Sequence, residues 1–199
     1  MINALILIVS IFLGFLAGVL RAKINRLPLR VPYLRWIWLV PLAYLPQWIA
    51  FNLPATREVV PIQWVSIALV SSQILLLVFC ALNLRLPGFI ILGLGLLANL
   101  IVISLNHGLM PISPETVKLI YPSFYSGELH SGKRLGFGKD IILSNNQTRL
   151  WWLSDTLILA IPLLNRLVAF SLGDLLIALG ASWFCWELGS PSTGIKSIN

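Results

Sequence analysis

"AFSLGDLLIALG", residues 169–180, sets one carboxylate inside a run that is otherwise apolar. Asp174 is either a charge stranded in hydrocarbon or the start of a helix, and Ser171 decides between the two. The Ser-x-x-Asp spacing is close to a capping box, in which the hydroxyl accepts from the third helical N–H and the acidic side chain reaches back to the cap. The carboxylate then also meets the positive end of the helix dipole. The spacing predicts a helix that begins at Ser171, with Asp174 at the rim of a membrane and not at its centre. Residues 170–188 become the last of several spanning segments.

The composition agrees with a membrane setting. Of 199 residues, 58% are hydrophobic and only 11% are charged, and the mean hydropathy is +0.89. A soluble domain carries roughly a quarter of its residues as charges. Five apolar runs, at about 4–20, 36–53, 62–82, 88–105 and 170–188, approach the length of a bilayer helix. The expected fold is an all-α, polytopic membrane helical bundle forming one domain over residues 1–199. Residues 106–169 form an external segment. Within it "TLILAIPLLNRL", residues 156–167, is too short to span and holds Pro162 and Arg166, so it reads as an interfacial or re-entrant helix.

Charge orients the bundle. The net charge is +7, and five of the fourteen basic residues, Arg21, Lys23, Arg26, Arg30 and Arg35, sit between the first two apolar runs. Such a loop belongs on the cytoplasmic side, facing anionic lipid, which places the N-terminus outside and the C-terminus inside. The positive charges follow the first apolar run, the pattern of a retained helix and not of a cleaved signal peptide. The segment 106–169 carries six basic and four acidic side chains and does not support this orientation, but long loops count weakly. No nucleic-acid motif accompanies the basic stretch, so nucleic acid is not an expected partner.

Candidate chemistry is sparse. Cys80 and Cys185 lie inside apolar segments with no CxxC or Cys/His pattern, so neither a disulfide framework nor a metal site is expected, and no cofactor is indicated. His107 and His130 are far apart in sequence; His107 reads as a residue of the turn that closes the fourth span, in "NHGLMPIS". "GELHSGKR" departs from a phosphate-binding loop by ending in Arg134 and lacks a preceding buried strand. The helices carry stripes that read as packing faces: Gly14 with Gly18; Gln63, Ser66 and Gln73; Gly88, Gly95 and Asn99; Asp174, Ala178, Ala181 and Cys185. Gln73 and Asn99 are the polar groups expected inside the bundle. Charges of both signs recur toward the C-terminal half. Arg134, Lys139, Arg149, Asp155, Arg166 and Asp174 form the candidate polar cluster at the outer interface, with Arg149, Arg166 and Lys139 as expected partners of Asp174. Trp151 and Trp152 suit a half-wet interface, and Ser154 with Asp155 suits the cap of the short helix expected next.

The order "NHGLMPIS", "RLGFGKDIIL", "TRLWWLSD", "AFSLGDLLIALG" resembles an uncharacterised prokaryotic integral-membrane family, the domain-of-unknown-function 5317 family, over nearly the whole chain including the basic loop. One departure is His107, where the family's turn is of an Asn-Gly-Gly type. The resemblance implies a bacterial inner-membrane protein and no particular activity. The leading functional expectation is a non-enzymatic binding, scaffold or accessory subunit for a membrane-protein partner. The alternative is a membrane-embedded enzyme or binder for an anionic lipid or amphiphile, using the basic members of the cluster. A small transporter ranks last, for want of a carboxylate at mid-membrane.

Overall fold

The computed structural model describes residues 3–53, 59–122, 129–162 and 165–190. Five helices form the bundle: α1 (Asn3–Ile24), α2 (Leu39–Phe51), α3 (Ile62–Leu82), α4 (Pro87–Leu105) and, after a long excursion, α6 (Leu172–Glu187). Three contain stretches long and apolar enough to cross a membrane, Ile6–Ile24, Ile62–Leu82 and Pro87–Leu105. The other two are shorter: α2 has 13 residues and α6 has 16. At about 1.5 Å per residue both fall short of a hydrocarbon layer of about 30 Å. The expected five spans are therefore met in length by three helices. The 36–53 run loses its first turn because Trp36 takes a left-handed backbone, φ 57°, before α2 begins at Leu39.

The helices pack in the spatial order α2, α3, α4, α6, α1. Glycines set the closest contact. Gly88 and Gly95 on α4 face Gly180 and Gly173 on α6, so the two helices run antiparallel with matched seven-residue spacing. A Cβ at Gly88 would stand 2.7 Å from the Gly180 carbonyl oxygen, and one at Gly95 would stand 2.6 Å from that of Gly173. Backbone therefore lies on backbone, the arrangement small residues permit between apolar helices. Gly14 and Gly18 do the same for α1, lying against Ser182 and Cys185 as α1 runs parallel to α6. Phe79, Phe89 and Phe184 fill the wider space between α3, α4 and α6, edge to face at 5.4 and 5.3 Å. Ser72 of α3 is fully buried and donates to the Ala43 carbonyl one turn before Pro46, the proline that interrupts α2.

The described residues between 106 and 170 fold back over one end of this bundle as a cap. Asn106 closes α4 and His107 turns the chain at φ 60°, a left-handed conformation in which glycine is comfortable. That explains why the family resemblance expects glycine there. Strand β1 (Met110–Ile112) follows, then helix α5 (Pro114–Ile120), capped by Ser113 accepting from the Thr116 N–H at 3.1 Å. Strand β2 (Asp140–Ile142) lies parallel to β1, with Met110 opposite Asp140, and residues 132–135 bond along its other side. In "RLGFGKDIIL" Gly136, at φ 56°, reverses the chain into β2. Of the phosphate-loop-like stretch, residues 127–128 lie outside the described residues. Leu109, Met110, Ile141, Leu143 and Leu153 of the cap share one core with Ala50, Val65, Leu69, Val102 and Ile103 of the bundle.

Two expectations are corrected in the cap. The fold is mostly helical but not all-α, since it holds two small sheets. And 156–167 is no helix: strands β3 (Leu157–Ile161) and β4 (Arg166–Phe170) form an antiparallel hairpin. Pro162 cannot continue a helix, and Asn165 closes the turn at φ 47° with its N–H on the Pro162 carbonyl. Ser154 and Asp155 consequently cap no α-helix. Ser154 instead closes the 3₁₀ turn Trp151–Leu153.

The Gly95–Gly173 contact fixes the height of α6 against α4. A side chain at position 173 would also run into the Asn99 carboxamide. Gly173→Ala is expected to lower stability by about 1–3 kcal/mol, the usual penalty of overpacking, measured as the thermal unfolding midpoint in detergent.

Candidate functional site

The predicted capping box is present in full. Asp174 N–H donates to Ser171 Oγ at 2.9 Å, and the Ser171 N–H donates back to Asp174 Oδ2 at 3.3 Å. The structure adds a partner from the neighbouring helix. Asn99, 3% exposed, donates Nδ2 to Asp174 Oδ1 at 2.8 Å and accepts from Ser171 Oγ at 2.9 Å. The cap of α6 is thus hydrogen-bonded to α4, where the Gly173 backbone makes room. Of the two bundle polar groups, Asn99 is satisfied in this way. The other, Gln73, buries an Oε1 with no hydrogen-bond partner among the described residues.

Above this cap sits the ionic centre of the cap region. Asp155 is 1% exposed, and its Oδ2 accepts from Lys139 Nζ at 2.8 Å. Asp140, next to the lysine, places Oδ1 3.2 Å from the same nitrogen. Asp174 lies within electrostatic reach of both Lys139 and Asp155. Three carboxyl groups therefore surround one ammonium. Burial works against the charged lysine, but the carboxylates of Asp140, Asp155 and Asp174 outweigh it and hold its pKa above the ordinary lysine value. Asp155 goes the other way for an acid. Burial raises it, Lys139 opposes, and Asp140 and Asp174 add to the rise, which leaves it at about 8. Its Oδ1 is buried without a hydrogen-bond partner among the described residues. Asp140 and Asp155 also line a small cavity, with Tyr121 and Leu135 among its walls and room for about one water molecule.

Of the remaining expected members, Arg134 comes within electrostatic reach of Asp140, and Arg149 and Arg166 are exposed. Arg134 donates Nε to the Gly138 carbonyl at 2.7 Å and stacks 5.3 Å from the Phe51 ring centre, so it braces its own turn. Arg149 contributes its backbone: its N–H donates to Asn106 Oδ1 and its carbonyl accepts from Asn106 Nδ2, both at 2.9 Å, while the side chain is exposed. Arg166 is exposed near the hairpin tip. Lys139, Asp155 and Asp174 are the three that come together. Asp140 joins them, and the pairing of Asn99 with Ser171 was not foreseen. Its signal was an asparagine on the same face as Gly95, one helical turn away. His107 and His130 are both exposed. Among the described residues, no group of three or more His, Cys, Asp or Glu side chains is placed to hold a metal ion.

This geometry is an ionic lock between the β2 strand and the segment after the 3₁₀ turn, and it lies within the region, residues 32–186, that a family model matches. The chain belongs to the family of unknown function DUF5317. The matched region of this DUF5317 member holds α2 to α6 and every residue of the lock, while α1 and most of the basic loop precede it. The resemblance is thus narrower at the N-terminal end than expected. No curated protein and no solved structure matches the chain.

The sign of the pH dependence follows from Asp155. An unfolded aspartate titrates near pH 4 and the folded one at about 8, so the folded state holds the extra proton between them. Its stabilising contribution is complete below about pH 4 and is lost as pH rises toward 8. Thermal unfolding midpoints are expected to fall between about pH 5 and pH 8. In Asp155→Asn, which keeps the shape without the titration, that slope should flatten. An unchanged slope in the variant would remove Asp155 as its source.

Proposed function

We propose that this chain is a multi-pass protein of a bacterial inner membrane with a non-enzymatic role, binding or scaffolding another membrane protein through its cap. One observation carries the reading. Strand β3 pairs with β4 on one side only among the described residues, and Leu157, Ile158 and Leu159 are 37%, 41% and 44% exposed. Water suits those side chains poorly. Hydrocarbon cannot satisfy the N–H and C=O groups of an open strand edge. An extended segment of a partner polypeptide does both, adding main-chain hydrogen bonds along the edge and covering the apolar side chains. The core shared by cap and bundle serves that role by holding the cap in place, and the ionic lock ties the cap's own segments together. Of the arginines that an anionic-ligand site in the cap would need, Arg134 is bonded to its own turn and Arg149 and Arg166 are exposed, so this second reading gains no support from their placement.

The orientation we propose is N-terminus outside and C-terminus cytoplasmic. Parallel α1 and α6, antiparallel α4, and the cations between α1 and α2 favour it, with the cap on the outer side.

Leu159→Lys adds a charge to the open edge and is expected to change stability by no more than about 0.5 kcal/mol while abolishing co-purification of a membrane-protein partner in mild detergent. A monodisperse chain without a protein partner, before any substitution, would sink the scaffold reading. For the orientation, Cys80 and Cys185 are buried and give little background. A membrane-impermeant maleimide applied to intact cells should label Ser131→Cys in the cap and leave Asn25→Cys in the basic loop unlabelled; the reverse pattern inverts the topology.

A further inference from the structure

The connection between α1 and α2 carries the motif "INRLPLRVPYLRWIW", residues 24–38, which the lock does not use. Pro28 and Pro32 bias the chain away from helix. The segment turns through left-handed residues at Arg26 and Trp36 and has no regular secondary structure over residues 27–34. It is nevertheless fastened at three points. Leu27 N–H donates to the Ala22 carbonyl at 2.8 Å, and Arg30 N–H donates to the Leu188 carbonyl at 3.0 Å. Buried Asn83, which caps α3, takes both backbone groups of Arg35: it accepts from the N–H at 2.8 Å and donates to the carbonyl at 3.0 Å.

The fastening uses backbone and leaves the side chains outward. Lys23, Arg26, Arg30 and Arg35 are exposed, with Arg85 exposed on the adjoining turn. Apolar and aromatic groups alternate with them: Ile24, Val31 and Tyr33 are 76%, 78% and 88% exposed, and Trp36 and Trp38 are half exposed. Among the described residues none of these cations forms an ion pair with a carboxylate. Glu187, the acid on the same end, accepts from Trp183 Nε1 at 2.9 Å.

We propose that this fastened segment is a docking surface for anionic phospholipid headgroups. The inference rests on the reading of the chain as a membrane protein. Bulk water leaves Val31, Tyr33 and the tryptophans uncovered, and hydrocarbon excludes the arginines. The headgroup layer accommodates both, and the surplus of positive charge selects its anionic members. Asn83 makes the surface a built one: it sets where the Arg35 guanidinium starts.

The test uses the full chain in nanodiscs of phosphatidylcholine with and without phosphatidylglycerol, with native mass spectrometry counting retained lipids. Phosphatidylglycerol is expected to be retained preferentially. The double variant Arg30→Gln, Arg35→Gln should lose that preference by on the order of tenfold, with its fold intact because both arginines hold the structure through backbone alone. Asn83→Ala keeps every cation and should also weaken the preference. Equal retention of the two lipids by the unaltered chain, a preference undiminished in the double variant, or an acidic protein retained in place of lipid overturns the proposal. Nanodiscs expose both leaflets, so this readout is independent of the maleimide labelling. An inverted topology with the lipid preference intact overturns the orientation alone, and the opposite result overturns this inference alone.

Discussion

The contact between α4 and α6 is the constraint on which the rest depends. Four glycines bring two helix backbones together, and at the top of that contact a single asparagine joins the α6 cap to α4. A hydrophobic bundle has little to fix its register when every side chain is a similar apolar shape. Glycine pairs and one buried polar link supply it: the glycines permit only a narrow range of heights, and Asn99 finds Ser171 and Asp174 at one of them. Interhelical hydrogen bonds of this kind add only about 0.6 kcal/mol each on average, so their main effect is to select an alignment.

The cap inherits its position from that alignment. β4 leads directly into Ser171, so fixing the start of α6 fixes the end of the hairpin. Lys139 arrives from the other side, on the turn before β2, and reaches Asp155 where the chain leaves the 3₁₀ turn. Asparagines work repeatedly at the joints. Asn106 holds both backbone groups of Arg149 at one end of the molecule, and Asn83 holds both backbone groups of Arg35 at the other. In each case a helix terminus that lacks intrahelical partners is used to fasten a loop.

Local features were the legible ones. Ser171 and Asp174 are three residues apart, and a capping box needs nothing more distant. The turn at Asn106 and the glycine turn before Asp140 were likewise written in adjacent residues. The hairpin was misread because "TLILAI" has no polar face to reveal its period, and an apolar stretch of that length fits a short helix or a strand equally well. The lock was partly visible as a list of charges. Which of them meet depends on β2 lying parallel to β1 and on the hairpin's direction, and no spacing rule reaches that far. Arg149 shows the difference sharply, since its value to the fold lies in its peptide groups and not in its guanidinium.

The link from Asn99 has a consequence for how the protein is made. Its partners Ser171 and Asp174 lie 72 and 75 residues downstream. During synthesis α4 leaves the ribosome with its glycine face uncovered and its asparagine unsatisfied, and both stay so until α6 emerges. A nascent chain halted before residue 171 holds four of the five bundle helices and leaves the glycine face of α4 without its partner.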